Sequence, residues 1–227
     1  MKFLLPVLGL FIVIFSSCGE NRIQEGEIEY TITYPYTNVE GFVSAILPEK
    51  LVLTFKGTKI KSMIKRGNIF KTEIVSDEKD KSIEMRMEFG NDNYFCDLTD
   101  AEVDKMIASQ PDYKIVSTTK QDSIQGLYGS EYTVKNPVDS IIHDNSWFCD
   151  HLAPTKAYWY SSYKDITGVP LIFDIERYGV VMHMEITNFT QREVKEEEFN
   201  RPAELSPRSY DEYEANVQEL FDILLDE

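Results

Sequence analysis

From Glu27 onward, apolar and polar side chains alternate along much of the chain. In residues 27–34, Ile28, Tyr30, Ile32 and Tyr34 fall on one side and Glu27, Glu29, Thr31 and Thr33 on the other. That period of two predicts a half-buried antiparallel strand. Residues 82–89 repeat it: Ile83, Met85, Met87 and Phe89 share one face, and Glu84, Arg86 and Glu88 share the other. The same reading predicts strands at 51–56, 59–65, 69–75, 94–98, 113–118, 128–134, 157–162, 171–176, 180–188 and 192–198. Gly57, Gly67-Asn68 and Tyr178-Gly179 supply the positive-φ positions that tight hairpin turns need. Many sequential strands with short turns point to a meandering antiparallel sheet rather than βαβ units.

Two helices interrupt the sheet pattern. Thr99-Asp100-Ala101-Glu102 reads as a capping box opening a short helix to about Ser109. Ser209-Tyr210-Asp211-Glu212 opens a second, C-terminal helix. Its Tyr213, Val217, Leu220, Phe221, Leu224 and Leu225 form one apolar stripe, expected to pack on the sheet, with a partner-binding helix as the alternative. Residues 136–154 lack periodicity and are expected to form a long loop around Trp147, with one helical turn near 138–142. The fold class is mainly β with flanking helices.

The start of the chain obeys neither period. Lys2 precedes an unbroken apolar run from Phe3 to Phe15, and Ser16, Ser17 and Cys18 follow. About 13 residues make roughly 20 Å of helix, short of a hydrocarbon core of about 30 Å. The run therefore reads as the core of an export signal rather than a membrane span. Small residues ending on a cysteine make the segment resemble a bacterial lipoprotein signal, although Phe15 stands where that family usually has Leu. The resemblance implies cleavage before Cys18 and lipidation of Cys18. The alternative is an ordinary cleaved signal with a chance cysteine. On the first reading residues 1–17 are the signal, 18–25 the lipidated cysteine and its tether, and 26–227 a single domain.

At 42% hydrophobic and 12% aromatic, the chain can bury a substantial core. Its 39 acidic against 23 basic side chains, a formal charge of −16, exclude nucleic acid as an expected partner. The same charge repels the domain from anionic head groups within a Debye length of ~8–10 Å, so it should hang from its anchor. Beyond Cys18, Cys96 and Cys149 lie in similar contexts, Tyr94-Phe95-Cys96-Asp97 and Trp147-Phe148-Cys149-Asp150. In an oxidising envelope compartment they form either one disulfide or two buried free thiols. His143, Cys149 and His151 have no tight ligand spacing, and nothing in the sequence asks for a metal or cofactor.

A further set of motifs runs in order along the domain. It comprises Ile124-Gln125-Gly126-Leu127-Tyr128-Gly129-Ser130-Glu131-Tyr132, then Tyr158-Trp159-Tyr160, Gly168-Val169-Pro170-Leu171, the Gly179 hairpin, and Glu198-Phe199-Asn200-Arg201-Pro202. This order resembles envelope proteins with the LolA/LolB-like lipoprotein-carrier fold, over roughly residues 26–205. The resemblance implies a strongly curved antiparallel sheet, an open half-barrel, with helices on its concave side and room for acyl chains between them. These motifs are turn and strand positions, so they imply no individual functional residue.

Catalytic signatures are absent: no Gly-x-Ser-x-Gly, His-Glu-x-x-His, Cys-x-x-Cys or phosphate-binding glycine loop occurs. His183, alternating with Glu185, reads as a surface strand residue, and the run 195–198 as a solvated strand end. Methionine is flexible and polarizable. The faces Ile83, Met85, Met87, Phe89 and Val180, Met182, Met184, Ile186 are therefore either the lining of a cavity for a hydrophobic ligand or ordinary core. Lys56, Lys59, Lys61, Lys65 and Arg66 concentrate positive charge in an acidic chain. They either contact head groups or an acidic partner, or form a solvated face guarding a sheet edge.

The expectation is a non-catalytic protein anchored by lipid in a bacterial envelope, at the outer membrane, that binds or shuttles a lipid or other apolar ligand. Its rival is a scaffold module with a protein partner in an envelope complex. A hydrolase with an unrecognised carboxylate pair has no feature in its favour.

Overall fold

The alternating segments pair into one sheet. The computed structural model describes residues 22–36, 47–67, 70–136 and 142–225. The signal 1–17, Cys18, Asn68 and most of the helical turn expected at 138–142 lie outside the described residues. The elements run β1 (Glu25–Thr33), β2 (Lys50–Lys56), β3 (Lys59–Arg66), β4 (Phe70–Asp77), β5 (Ser82–Phe89), β6 (Asp92–Asp97) and α1 (Asp100–Ala108). They continue with β7 (Lys114–Ile124), β8 (Leu127–Lys135), β9 (Ile142–Cys149), β10 (Val169–Arg177) and β11 (Val180–Thr190). A 3-10 turn (Glu196–Phe199), β12 (Ser206–Pro207) and α2 (Tyr210–Leu225) complete the chain.

Twelve strands form one sheet in the order β12-β6-β5-β4-β3-β2-β1-β11-β10-β9-β8-β7, not closed into a barrel. All pairs are antiparallel except the two-residue β12 against β6. Two meanders, β2 to β6 and β7 to β11, meet at β1, which pairs with β2 on one side and β11 on the other. Tyr178-Gly179 takes positive φ at both residues, as does Gln125-Gly126, the pairing that two-residue hairpin turns require. Both capping boxes form. Thr99 Oγ1 accepts from the Glu102 backbone N–H, and the Glu212 carboxylate accepts from Ser209.

The alternation sorts the side chains into two faces. Ile28, Tyr30, Ile32, Leu51, Leu53, Phe55 and Ile60 lie buried on the inner face. The helices cover that side. Tyr213 of α2 meets Tyr94 edge-on at 5.6 Å. On the same helix Phe221 stacks on Tyr178 at 5.1 Å and Glu214 receives Arg177 at 2.8 Å. One amphipathic helix thus ties β6 to the β10–β11 hairpin across the open side of the curved sheet.

Three segments depart from the pattern reading. Residues 142–149, expected as loop, form β9, because β8 and β10 supply hydrogen-bonding partners on both sides of a stretch whose own strand preference is weak. Residues 157–162, expected as a strand, form successive turns: Trp159 N–H donates to the Lys156 carbonyl and Ser161 N–H to the Tyr158 carbonyl. The turns bring the Tyr158, Tyr160 and Tyr163 rings into the core without any strand pairing of this segment among the described residues. Residues 192–198, also expected as a strand, leave the sheet and end in the 3-10 turn.

That last segment begins a strap that crosses the outer face from β1 to β6. Lys56 Nζ donates to the Val194 carbonyl at 2.7 Å and Lys61 Nζ to the Glu198 carbonyl at 2.7 Å. Lys59 meets Glu196 at 3.0 Å. Buried Arg86 donates to the Phe199 carbonyl at 2.6 Å and to Glu73 at 3.0 Å, and also pairs with Glu84. Arg201 lies over the Phe95 ring at 3.4 Å and reaches Asp97 and Glu84. Three of the hairpin lysines therefore hold an acidic segment of their own chain. β3 is an internal strand rather than an edge, so the guard reading of the basic face does not apply.

Candidate functional site

A cavity of about 90 Å³ remains between the inner face and its cover. Leu51 of β2, Ser62 and Ile64 of β3, and Thr72 and Ile74 of β4 form one sheet wall, and Asp174, Ile175, Glu176 and Arg177 of β10 border the cavity as well. Register explains the grouping: Leu51 pairs with Ile64, Ile64 with Thr72, and Ser62 with Ile74, so the five side chains are neighbours on one face. Met106 at the end of α1, Tyr113, and the rings of Tyr158, Tyr160 and Tyr163 close the opposite side.

The covering segment is held by its aromatic rings and by hydrogen bonds. Tyr158 stacks on Tyr160 at 5.9 Å and meets Phe173 edge-on at 5.2 Å. Tyr163 donates its hydroxyl to the Asp174 carbonyl at 2.7 Å. Burial pushes the Tyr158 and Tyr163 hydroxyls far above the ordinary tyrosine range and Tyr160 up to about 12, so all three stay protonated. Gln110 joins the end of α1 to this segment, donating to the Met106 and Tyr160 carbonyls at 3.2 Å and accepting from Ser162 N–H at 3.2 Å. A wider, solvent-facing cleft of about 590 Å³ lies beyond it. Cleft and cavity share Gln110, Tyr113, Ser161 and Ser162, which stand between them as a partition.

Ser62 lies beside Tyr158 and Tyr160. Among the described residues, neither Ser62 Oγ nor the Tyr158 hydroxyl completes a hydrogen bond, although both atoms are buried. Arg177, on the cavity rim, is engaged by Glu214.

The two methionine faces lie elsewhere on the inner side. Ile83, Met85, Met87, Val180, Met182, Met184 and Ile186 are buried in the common core, and none borders the 90 Å³ cavity. Phe89 is 38% exposed. Together with Met87 it borders a separate cleft of about 290 Å³ beside α2. The signal that marks the cavity in the sequence is subtler than methionine. Ser62 and Thr72 are polar residues at inner-face positions flanked by Ile60, Ile64, Phe70 and Ile74.

Cys96 on β6 and Cys149 on β9 are free and buried, eight strands apart in the sheet order, so the disulfide alternative does not hold in this structure. Burial, reinforced by nearby Glu102 and Glu214, pushes the Cys96 thiol up to about 12. Burial also raises Cys149. Both are unreactive in that state. His183, expected as a plain surface residue, is half-buried and its Nδ1 meets Asp174 at 2.6 Å, a hydrogen bond that raises its pKa. Among the described residues no three His, Cys, Asp or Glu side chains group as metal ligands would, and no helix is long and apolar enough to cross a membrane.

No family model matches the chain, and no curated protein matches it. Solved structures do. Two structures of PNGF-II, in different space groups, align with TM-scores of 0.52 at 12% and 10% identity. They cover 86% and 87% of this chain and 33% of PNGF-II in each case. The likeness is one of fold, and this chain spans about a third of PNGF-II's length. A LolA superfamily protein, NE2245 from Nitrosomonas europaea, matches at 10% identity over 80% of this chain and 93% of that one, with a TM-score of 0.22. At that score the match carries nothing about this chain.

Proposed function

We propose that the protein is a non-catalytic binding module that takes a small apolar ligand into the inner-face cavity. The carrying observation is the cavity itself: Leu51, Ile64, Ile74 and Met106 give it apolar walls, and a single row of side chains separates it from a wide surface cleft. Ligand sites of drug-sized molecules run to about 300–1,000 Å³. At about 90 Å³ this one suits a small ring or the end of a chain, and a whole acyl chain would need the aromatic segment 157–163 to move aside. The lipoprotein-like signal supports a module tethered to a bacterial envelope through Cys18. The test is native mass spectrometry of the protein purified from an envelope compartment. A discrete added mass, absent in a Met106→Trp variant that fills the void, is expected; a bare mass in both would refute the reading.

A second reading has one observation in its favour. The same fold occupies a third of a larger protein, PNGF-II, which supports a role as an interaction module beside other parts of an assembly. A bare mass together with a stoichiometric envelope partner would select it.

A further inference from the structure

Two neighbouring hydroxyls in this mostly apolar cavity complete no well-formed hydrogen bond, with each other or with any other group among the described residues, and that is costly. A buried polar atom left unpaired forfeits its hydrogen bonds to water without replacement. Ser62 is 8% exposed and Tyr158 7%, and both side chains line the void between β3 and the covering segment. Neither position is incidental. Ser62 occupies an inner-face site flanked by Ile60 and Ile64 on its own strand and by Leu53 and Ile74 across the ladder. Stacking on Tyr160 and the edge contact with Phe173 fix the Tyr158 ring, which sets the direction of its hydroxyl before any ligand arrives. In the wall formed by β2, β3 and β4 the remaining polar side chain is Thr72, while Asp174, Glu176 and Arg177 border the void from β10.

We infer that the ligand carries one uncharged hydrogen-bonding group, a hydroxyl or a carbonyl, on an otherwise apolar body, and that Ser62 and Tyr158 receive it. This rests on the proposed ligand-binding role of the cavity. Each hydroxyl can donate one hydrogen bond and accept others, so the pair serves an alcohol or a ketone equally. A carboxylate does not fit. The cation on the rim, Arg177, is already neutralised by Glu214, and an unpaired charge against Leu51, Ile64 and Ile74 would be expelled. The site therefore selects neutral amphipathic molecules over both hydrocarbons and fatty acids.

The test compares phenol with benzene, equal rings that differ by one hydroxyl, in nuclear magnetic resonance titrations of the full-length mature protein. Phenol is expected to bind about tenfold tighter than benzene, the value of one recovered hydrogen bond. Tyr158→Phe and Ser62→Ala should each erode that preference while leaving benzene affinity unchanged. Ser62→Ala serves if Tyr158→Phe fails to fold. Equal affinities in the wild type would overturn the inference, because water then satisfies the two hydroxyls, yet would leave the apolar cavity as a binding site. A preference that survives both substitutions together would also overturn it. Binding of neither probe would sink the cavity reading itself, and this inference with it.

Discussion

Replacing Arg86 by Met should destabilise the protein by about 3–5 kcal/mol, the range for removing one partner of a buried ion pair. Arg86 is 3% exposed and faces Glu73, its cross-strand partner on β4, which is 5% exposed. The guanidinium also holds Glu84 and the Phe199 carbonyl of the outer strap. The losses are unequal. Glu84 keeps Arg201 after the substitution, whereas Glu73 keeps only Lys71 at 3.2 Å and the Phe199 carbonyl loses its donor. The cost is therefore concentrated on one buried carboxylate and one carbonyl. For a chain of this size, about 2–4 °C per kcal/mol converts the loss to a fall of roughly 10 °C in Tm. Urea denaturation followed by circular dichroism measures it, and limited proteolysis within residues 191–205 should quicken as the strap loosens. Arg86→Met with Glu73→Leu should recover most of the loss, because no buried charge is then left unpaired. A single variant within about 1 kcal/mol of wild type, or a double variant no better than the single, would refute the reasoning.

Two further outcomes follow from the same geometry. Arg192 holds the Glu198 carboxyl down to about 2, so its contribution is present above the ordinary carboxylate value of 4.5 and disappears as pH falls from there towards 2. Both side chains are about a third exposed, so solvent screening reduces the effect to about 1 kcal/mol. Glu198→Gln should cost that much in urea midpoints at about pH 6 and nothing near pH 2; a cost independent of pH would contradict the assignment. Gly168 has φ +108°, and a β-carbon there would lie 2.4 Å from the Cys149 carbonyl oxygen, so Gly168→Ala should cost more than about 3 kcal/mol. Gly57→Ala, at φ +56° in open space, should cost only about 1–2 kcal/mol, and equal losses at the two sites would show that the clash is relieved.

Period-two alternation and turn residues determine most of the sheet, because burying one face of a strand is a local demand written every second residue. Thus β5 forms over the residues 82–89 that its alternation marks, both capping boxes close, and Tyr178-Gly179 turns its hairpin. Where a segment needs a partner to define it, the local pattern fails. Residues 142–149 look formless alone and become β9 between two neighbours. Residues 157–162 alternate like a strand and, with no strand to meet, curl into the aromatic cover of the cavity.

The candidate site belongs to this second class. Sequence alone determined that Ser62 would share an inner face with Ile60 and Ile64. Tertiary structure decided that Ser62 and Tyr158, almost a hundred residues apart, would border the same void. It also decided that the methionine faces, Phe89 apart, would be buried in the common core and that the basic hairpin would bind the chain's own acidic strap. The physical reason is that alternation specifies which way a side chain faces. What it meets there depends on strand order and on the segment that crosses over it, and both are set by long-range pairing.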